Sequence, residues 1–129
     1  MTILLIDDDK DDRKLFFEAT AEYDNTIKYV AAANAREALL YLNDAANALP
    51  DFIFLDLRMP GLSGEQCLVE IKKVPRLAAI PVIIYTTSRS QNEKDETIKC
   101  GAVSWITKPQ SMEELRTIIS EMLSMYKSL

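Results

Sequence analysis

Phe52-Ile53-Phe54-Leu55-Asp56-Leu57-Arg58-Met59-Pro60-Gly61 is the stretch on which the reading of the fold turns. Apolar residues run straight into a carboxylate, and a Pro-Gly pair follows. So short an apolar run, bounded by turn residues, suits a strand buried on both faces. Pro60 fixes φ and Gly61 permits positive φ, so the chain must turn just beyond the strand. Asp56 then stands where a central strand ends and a loop begins. In open α/β sheets that edge is where ligands bind.

Working outward, Thr2–Ile6 reads as a first buried strand, ended by Asp7-Asp8-Asp9. A helix is predicted from Lys10 to about Glu22, with Leu15, Phe16, Ala19 and Tyr23 inward and Asp9 and Asp12 at its start. Thr26–Ala31 alternates and carries Lys28, the habit of an edge strand. Asn34-Ala35-Arg36-Glu37 reads as a capping-box start for a helix to about Asn43, burying Ala38, Leu39 and Leu42. After the central strand, Ser63-Gly64-Glu65-Gln66 starts a third helix, and Lys73 to Pro81 reads as a loop. Val82–Tyr85 is a fourth strand ending at Thr86-Thr87-Ser88. Ser90 caps a charged fourth helix that stops near Gly101. Val103–Thr107 is a fifth strand ending at Lys108-Pro109. Ser111 caps a fifth helix with Leu115, Ile118, Ile119, Met122, Leu123 and Tyr126 as its buried stripe. Strand and helix alternate throughout. The expectation is therefore an α/β, doubly wound domain over residues 1–129, with a five-stranded parallel sheet in the flavodoxin-like order 2-1-3-4-5.

Composition narrows the chemistry. The 129 residues suit one domain with a real core. The net charge of −5, with no basic run, argues against nucleic acid or an anionic membrane as partner. Histidine is absent, which removes Ser-His and Cys-His nucleophile systems and histidine-ligated zinc. Cys67 and Cys100 match no C-x-x-C pattern and read as small hydrophobes in a reducing cytoplasm. No leader-like segment and no membrane-spanning run is seen, so a cytoplasmic protein is expected.

The polar residues that follow the strands are Asp7 and Asp8, Asp56, Thr86, and Lys108. Parallel strands place all of them on one edge of the sheet. In the order 2-1-3-4-5 the first and third strands flank the switch point, so the three carboxylates should converge there. Crowded carboxylates repel and need neutralising. Lys108 offers one charge; a hard cation with oxygen ligands offers more, Mg2+ first and Mn2+ second. A carboxylate so placed can act as a nucleophile toward phosphorus, with metal and lysine stabilising phosphoryl charge. Asp56 is the best-placed nucleophile, Asp7 and Asp8 the best metal ligands. At each position, a turn-capping aspartate, a strand-capping threonine or a solvated lysine is the plain alternative.

Taken together, Leu5-Ile6-Asp7-Asp8-Asp9, Phe54 to Gly61, Pro81 to Thr86, and Gly101-Ala102 leading to Trp105-Ile106-Thr107-Lys108-Pro109 resemble the receiver domain of two-component response regulators, the single-domain kind typified by the chemotaxis regulator. The resemblance implies a phosphoacceptor at Asp56, supplied by a kinase phosphohistidine, and Mg2+ on Asp8, Asp7, Asp56 and the Arg58 carbonyl. It implies phosphoryl contacts from Thr86, Thr87 and Lys108, an aromatic switch at Trp105, and a cis Lys108–Pro109 bond. It implies no conventional enzyme: the chain would catalyse only its own phosphotransfer and dephosphorylation. Partners would be a sensor histidine kinase or histidine phosphotransfer protein, a target protein, and a second copy through the face of the last two helices and last strand. No output domain is expected. Thr87, Arg58 and Ser88 depart from or vary the family pattern beside the nucleophile, so an altered phosphoryl lifetime is expected. The Lys73–Pro81 loop and Tyr85–Ser88 look like stand-alone regulators paired with phytochrome-type kinases.

Three other readings compete. Asp7, Asp9, Asp11 and Glu18 fall at EF-hand positions, but Asp12 stands where the turn glycine belongs. A haloacid-dehalogenase-like phosphatase wants an acid two residues past the nucleophile, where Arg58 stands. A receiver fold used as a phosphate-independent interaction module is the remaining alternative.

Overall fold

The computed structural model describes residues 1–127, with side chains to residue 125. Its strands are β1 (Thr2–Ile6), β2 (Lys28–Ala32), β3 (Phe52–Leu55), β4 (Val82–Thr86) and β5 (Ser104–Thr107). Its helices are α1 (Lys10–Tyr23), α2 (Ala35–Asn43), α3 (Gly64–Lys73), α4 (Pro75–Ala78), α5 (Gln91–Lys99) and α6 (Met112–Lys127). The strands form one parallel sheet in the order β2-β1-β3-β4-β5, as the sequence predicts.

Strand periodicity sorts the core into two layers. Leu4, Ile6, Ile53, Leu55, Val82 and Ile84 face one side, against Ala38 and Leu42 of α2 and Cys67, Leu68 and Ile71 of α3. Ile3, Leu5, Phe52, Phe54, Ile83 and Tyr85 face the other, against Phe16 and Ala19 of α1 and Leu115, Ile119 and Leu123 of α6. Each such fully buried aliphatic contributes roughly 1.5–3 kcal/mol, which is why the central strands tolerate no polar interruption before their ends.

Helix starts follow the local chemistry. The Asp9 carboxylate accepts from the Asp11 and Asp12 N–H groups, and Asn34 from Glu37 N–H. Ser63 and Gln66 close a full capping box at α3, and the Ser90 and Ser111 hydroxyls accept from Glu93 and Glu114 N–H. Each cap is worth about 1 kcal/mol.

Several expectations need correction. The Lys73–Pro81 loop contains α4, because Pro75 presets the first helical turn and Leu77 is buried there. Leu15 is exposed and Thr20 is buried in its stead, its hydroxyl satisfied by the Phe16 carbonyl. Leu39 is only partly buried, and Val103 lies outside β5 and is exposed. Cys100 is exposed, while Cys67 is buried; both thiols are free. The Lys108–Pro109 peptide is trans, the lower-energy isomer for an X-Pro bond, where the resemblance implies cis. Tyr126, expected in the α6 stripe, lies outside the described side chains. Among the described residues no helix is long and apolar enough to cross a membrane.

Candidate functional site

The site is built where β1, β3, β4 and β5 end. Parallel pairing sets Ile6 beside Leu55, and Thr86 beside Thr107, so the residues that follow share one edge. Asp7 and Asp56 are buried and Asp8 is exposed, and these carboxylates each offer an oxygen within 4.8 Å of the others. Lys108 reaches over from β5. Its Nζ hydrogen-bonds Asp56 Oδ2 at 3.1 Å and lies 2.8 Å from Asp7 Oδ2.

The backbone fixes both buried acids. Asp7 Oδ1 accepts the Asp9 N–H at 2.9 Å, and the Asp7 carbonyl accepts Arg13 Nη1 at 2.8 Å. Asp56 Oδ1 accepts the Arg58 N–H at 3.2 Å. Gly64, the first residue of α3, packs so closely on the β3–α3 turn that a Cβ there would meet the Asp56 carbonyl oxygen at 2.2 Å. That contact explains the glycine and sets the height of the Asp56 backbone.

Charge and burial compete here. Burial pushes the Asp7 carboxyl up to about 6; the Lys108 ammonium and the Asp9 N–H pull it back only in part, and Asp56 opposes them. Burial alone would lower the Lys108 ammonium, but Asp12, Asp7 and Asp56 outweigh it and hold the charge above its ordinary range. Lys108 Nζ lies 2.8 Å from Asp7 Oδ2 in a buried ion pair. With Asp8 and Asp56 the donor set is all oxygen, which fits a hard divalent cation.

The other predicted residues fall as follows. Thr86 is buried at the end of β4, and its hydroxyl accepts the Ser88 N–H at 3.3 Å. Thr87 is exposed. The Arg58 side chain leaves the site and pairs with Glu93 of α5 at 2.8 Å. Trp105 is part-buried, paired in register with Ile84, and its indole N–H points to Thr107 Oγ1 at 3.4 Å. The residue that sequence reasoning missed at the site is Asp12. Read as a helix-start acid, it also accepts a hydrogen bond from the Lys108 ammonium at 2.7 Å. Its position one helical turn beyond Asp8, facing the same edge, was the available signal.

A family model described as the response regulator receiver domain matches residues 3–120. The chain is 32% identical over 122 residues to a probable methanogenesis regulatory protein, FilR2, of Methanothrix harundinacea, covering 92% of this chain and 79% of that one. Among solved structures, the phosphorylated cyanobacterial phytochrome response regulator RcpA superposes with a TM-score of 0.89 at 31% identity, over 98% of this chain and 94% of that one. The Mn2+-bound form of response regulator Rcp1 superposes with a TM-score of 0.83 at 26% identity, over 97% and 93%. Three further curated relatives are longer proteins, of which the chain spans 15%, 52% and 50%.

Proposed function

Since the chain belongs to the response regulator receiver family of two-component signalling, we propose that Asp56 is its phosphoacceptor and that residues 1–129 act as a receiver domain. The observation that carries this is the convergence of Asp7, Asp8, Asp56 and Lys108 at the sheet's switch point. An Asp56 carboxylate oxygen attacks phosphorus, the P–N bond of a partner's phosphohistidine breaks, and the histidine nitrogen keeps the bonding pair. The donor is a sensor histidine kinase or a histidine phosphotransfer protein. The likeness to a phytochrome response regulator favours a kinase of phytochrome type.

Asp7, Asp8 and Asp56 would hold Mg2+, or Mn2+ as in Rcp1, with the Arg58 carbonyl as a further ligand by resemblance. The cation supplies charge for the phosphoryl oxygens. Lys108, already hydrogen-bonded to Asp56 Oδ2, turns to a phosphoryl oxygen once that carboxylate becomes an acyl phosphate. The Arg58 N–H keeps the carboxylate oriented throughout. Thr86 and Thr87 complete the cradle, Thr86 by releasing its bond from Ser88. That displacement reaches Trp105 across the β4–β5 pairing and changes the α5-β5-α6 face, where a target protein or a second copy docks. Such a protein works in the cytoplasm and turns over no substrate beyond its own phosphoryl group.

Intact mass after incubation with acetyl phosphate and Mg2+ tests the proposal. One phosphoryl adduct is expected for wild type, lost without Mg2+ and in Asp56→Asn. A folded wild type with no adduct would replace this reading with the phosphate-independent interaction module.

A further inference from the structure

On the sheet face that carries α2 and α3, the helices do not close up everywhere. α3 packs on α2 and α4, but it makes little direct contact with α5, and a groove of about 320 Å³ lies between them. Its floor is Leu68 and Thr97, both fully buried. The Thr97 hydroxyl is turned back onto the Glu93 and Lys94 carbonyls at 2.9 and 3.0 Å, so its proton is spent within α5. The sides are Leu62 and Val69, each 36% exposed, and the exposed Cys100.

Both ends of the groove are held. Beside the β3–α3 turn, Arg58 pairs with Glu93 of α5 at 2.8 Å. At the other end the Lys72 stem packs against Gly101, where an added Cβ would meet its Cε at 3.2 Å. The Lys72 ammonium is itself fixed by the Ala78 and Ile80 carbonyls. A groove already formed loses little order on binding. The rim is acidic: Glu65, Glu70 and Glu96 line it, and no cationic residue does. Lys73 and Lys99 reach Glu70 and Glu96 from one turn along their own helices, at 3.2 and 3.8 Å, but these pairs are exposed and hold weakly. Among the described residues Glu65 is in no ion pair.

We propose that the α3–α5 groove docks a cationic amphipathic helix of a partner protein, its apolar stripe on Leu62, Val69 and Cys100 and its lysines or arginines on Glu65, Glu70 and Glu96. An apolar helix face laid into a groove is a recurrent mode of recognition. A second copy of this chain fits poorly, because an isologous contact would set groove against groove with like charges facing. Nucleic acid and anionic membranes are repelled by the same carboxylates and by the net charge of −5. The groove takes a different side of α5 from Gln91 and Lys94, which border Trp105. It is therefore separate from the α5-β5-α6 face, and docking there needs no phosphorylation.

The test uses the unphosphorylated chain and a fluorescent synthetic peptide of about four helical turns, with leucine at i, i+3, i+4 and i+7 and lysine elsewhere. A scramble of the same composition is the control. By anisotropy the amphipathic peptide should bind about tenfold tighter than the scramble, the worth of one ordered apolar anchor, and should weaken as salt rises. Val69→Ser should weaken it roughly tenfold, the scale of one buried valine. Glu65→Gln with Glu96→Gln should weaken it by about threefold and flatten the salt dependence. Glu18→Gln, in α1 on the other face of the sheet, should leave affinity within about twofold. Amide shifts on binding should centre on Val69 and Cys100. Shifts centred on Trp105, equal binding of the scramble, or affinity unchanged by Val69→Ser would each overturn the inference. So would self-association of the unliganded chain that Val69→Ser abolishes, since the occupant would then be a second copy.

Discussion

Gly64→Ala probes how tightly the sheet edge is built. The added Cβ would lie 2.2 Å from the Asp56 carbonyl oxygen and 2.5 Å from Leu57 Cα, against a floor of 3.0 Å for real Cβ contacts. The atoms it meets are backbone, so no side chain can swing aside. Either the start of α3 or the Asp56–Leu57 turn must shift by close to 1 Å. Overpacking of this kind costs about 3 kcal/mol at the upper end, and a glycine-to-alanine change in a helix returns up to about 1. The net loss is about 2 kcal/mol, or roughly 8 °C in melting temperature for a domain of this size. Capping at Ser63 pins the helix end, so part of the shift falls on Asp56. A misplacement of about 1 Å costs on the order of 100-fold in a reaction that depends on alignment. Thermal unfolding and adduct formation from acetyl phosphate read the two effects. Gly61→Ala is the control: its φ is +76° and nothing lies within 4 Å of the added carbon. It should lose only about 1 kcal/mol of backbone strain and phosphorylate at near the wild-type rate. A Gly64→Ala protein that melts within about 2 °C of wild type would refute the reasoning, because about 2 kcal/mol should move it much further.

Two further outcomes follow from buried polar groups. Among the described residues the buried Tyr41 hydroxyl has no hydrogen-bond partner, so Tyr41→Phe should raise the urea midpoint by an amount worth about 1 kcal/mol; a loss of that size would mean the hydroxyl is satisfied in solution. Asp7 titrates at about 6 in the fold against 3.8 when unperturbed, so the folded state binds its proton more tightly. Its contribution is full below pH 4 and is lost as pH rises through about 6, a change of roughly 3 kcal/mol in metal-free buffer. Measured as the difference between wild type and Asp7→Asn in chelator, stability should therefore fall between pH 4 and pH 7, and saturating Mg2+ should offset the fall. A difference that rises with pH in chelator would show that Lys108 compensates Asp7 fully.

Most of the sheet was legible because each buried strand is an unbroken apolar run ended by a polar residue. A sheet covered on both faces buries Leu4 with Leu5, and Ile83 with Ile84. The caps were legible because Asn34, Ser63 and Ser90 each precede the residue whose N–H they accept by three positions. One cause of misreading is that local spacing says which face a residue is on, not how far its neighbours reach. Leu15 has the right spacing for burial, yet it is exposed while Phe16 and Ala19 carry the core face of α1. At the site, spacing located Asp7, Asp8, Asp56 and Lys108. It could not show that Lys108 would also reach Asp12, because that depends on where a long flexible side chain comes to rest among several carboxylates.

Arg58 shows how a departure from the family pattern acquires a physical role. Its N–H holds Asp56 Oδ1, and its guanidinium holds Glu93 in the first turn of α5. One residue therefore ties the orientation of the proposed phosphoacceptor to the helix that borders the proposed output face. The ion pair is exposed on the arginine side, so it adds at most about 1 kcal/mol to the fold. A bias of that size is negligible against global stability but not against a switch, whose states differ by only a few kcal/mol. Phosphorylation at Asp56, as proposed, would add negative charge two residues from Arg58 and compete with Glu93 for its guanidinium. The charge on the proposed phosphoacceptor and the position of α5 would then be coupled through this one residue, alongside any path through Thr86 and Trp105.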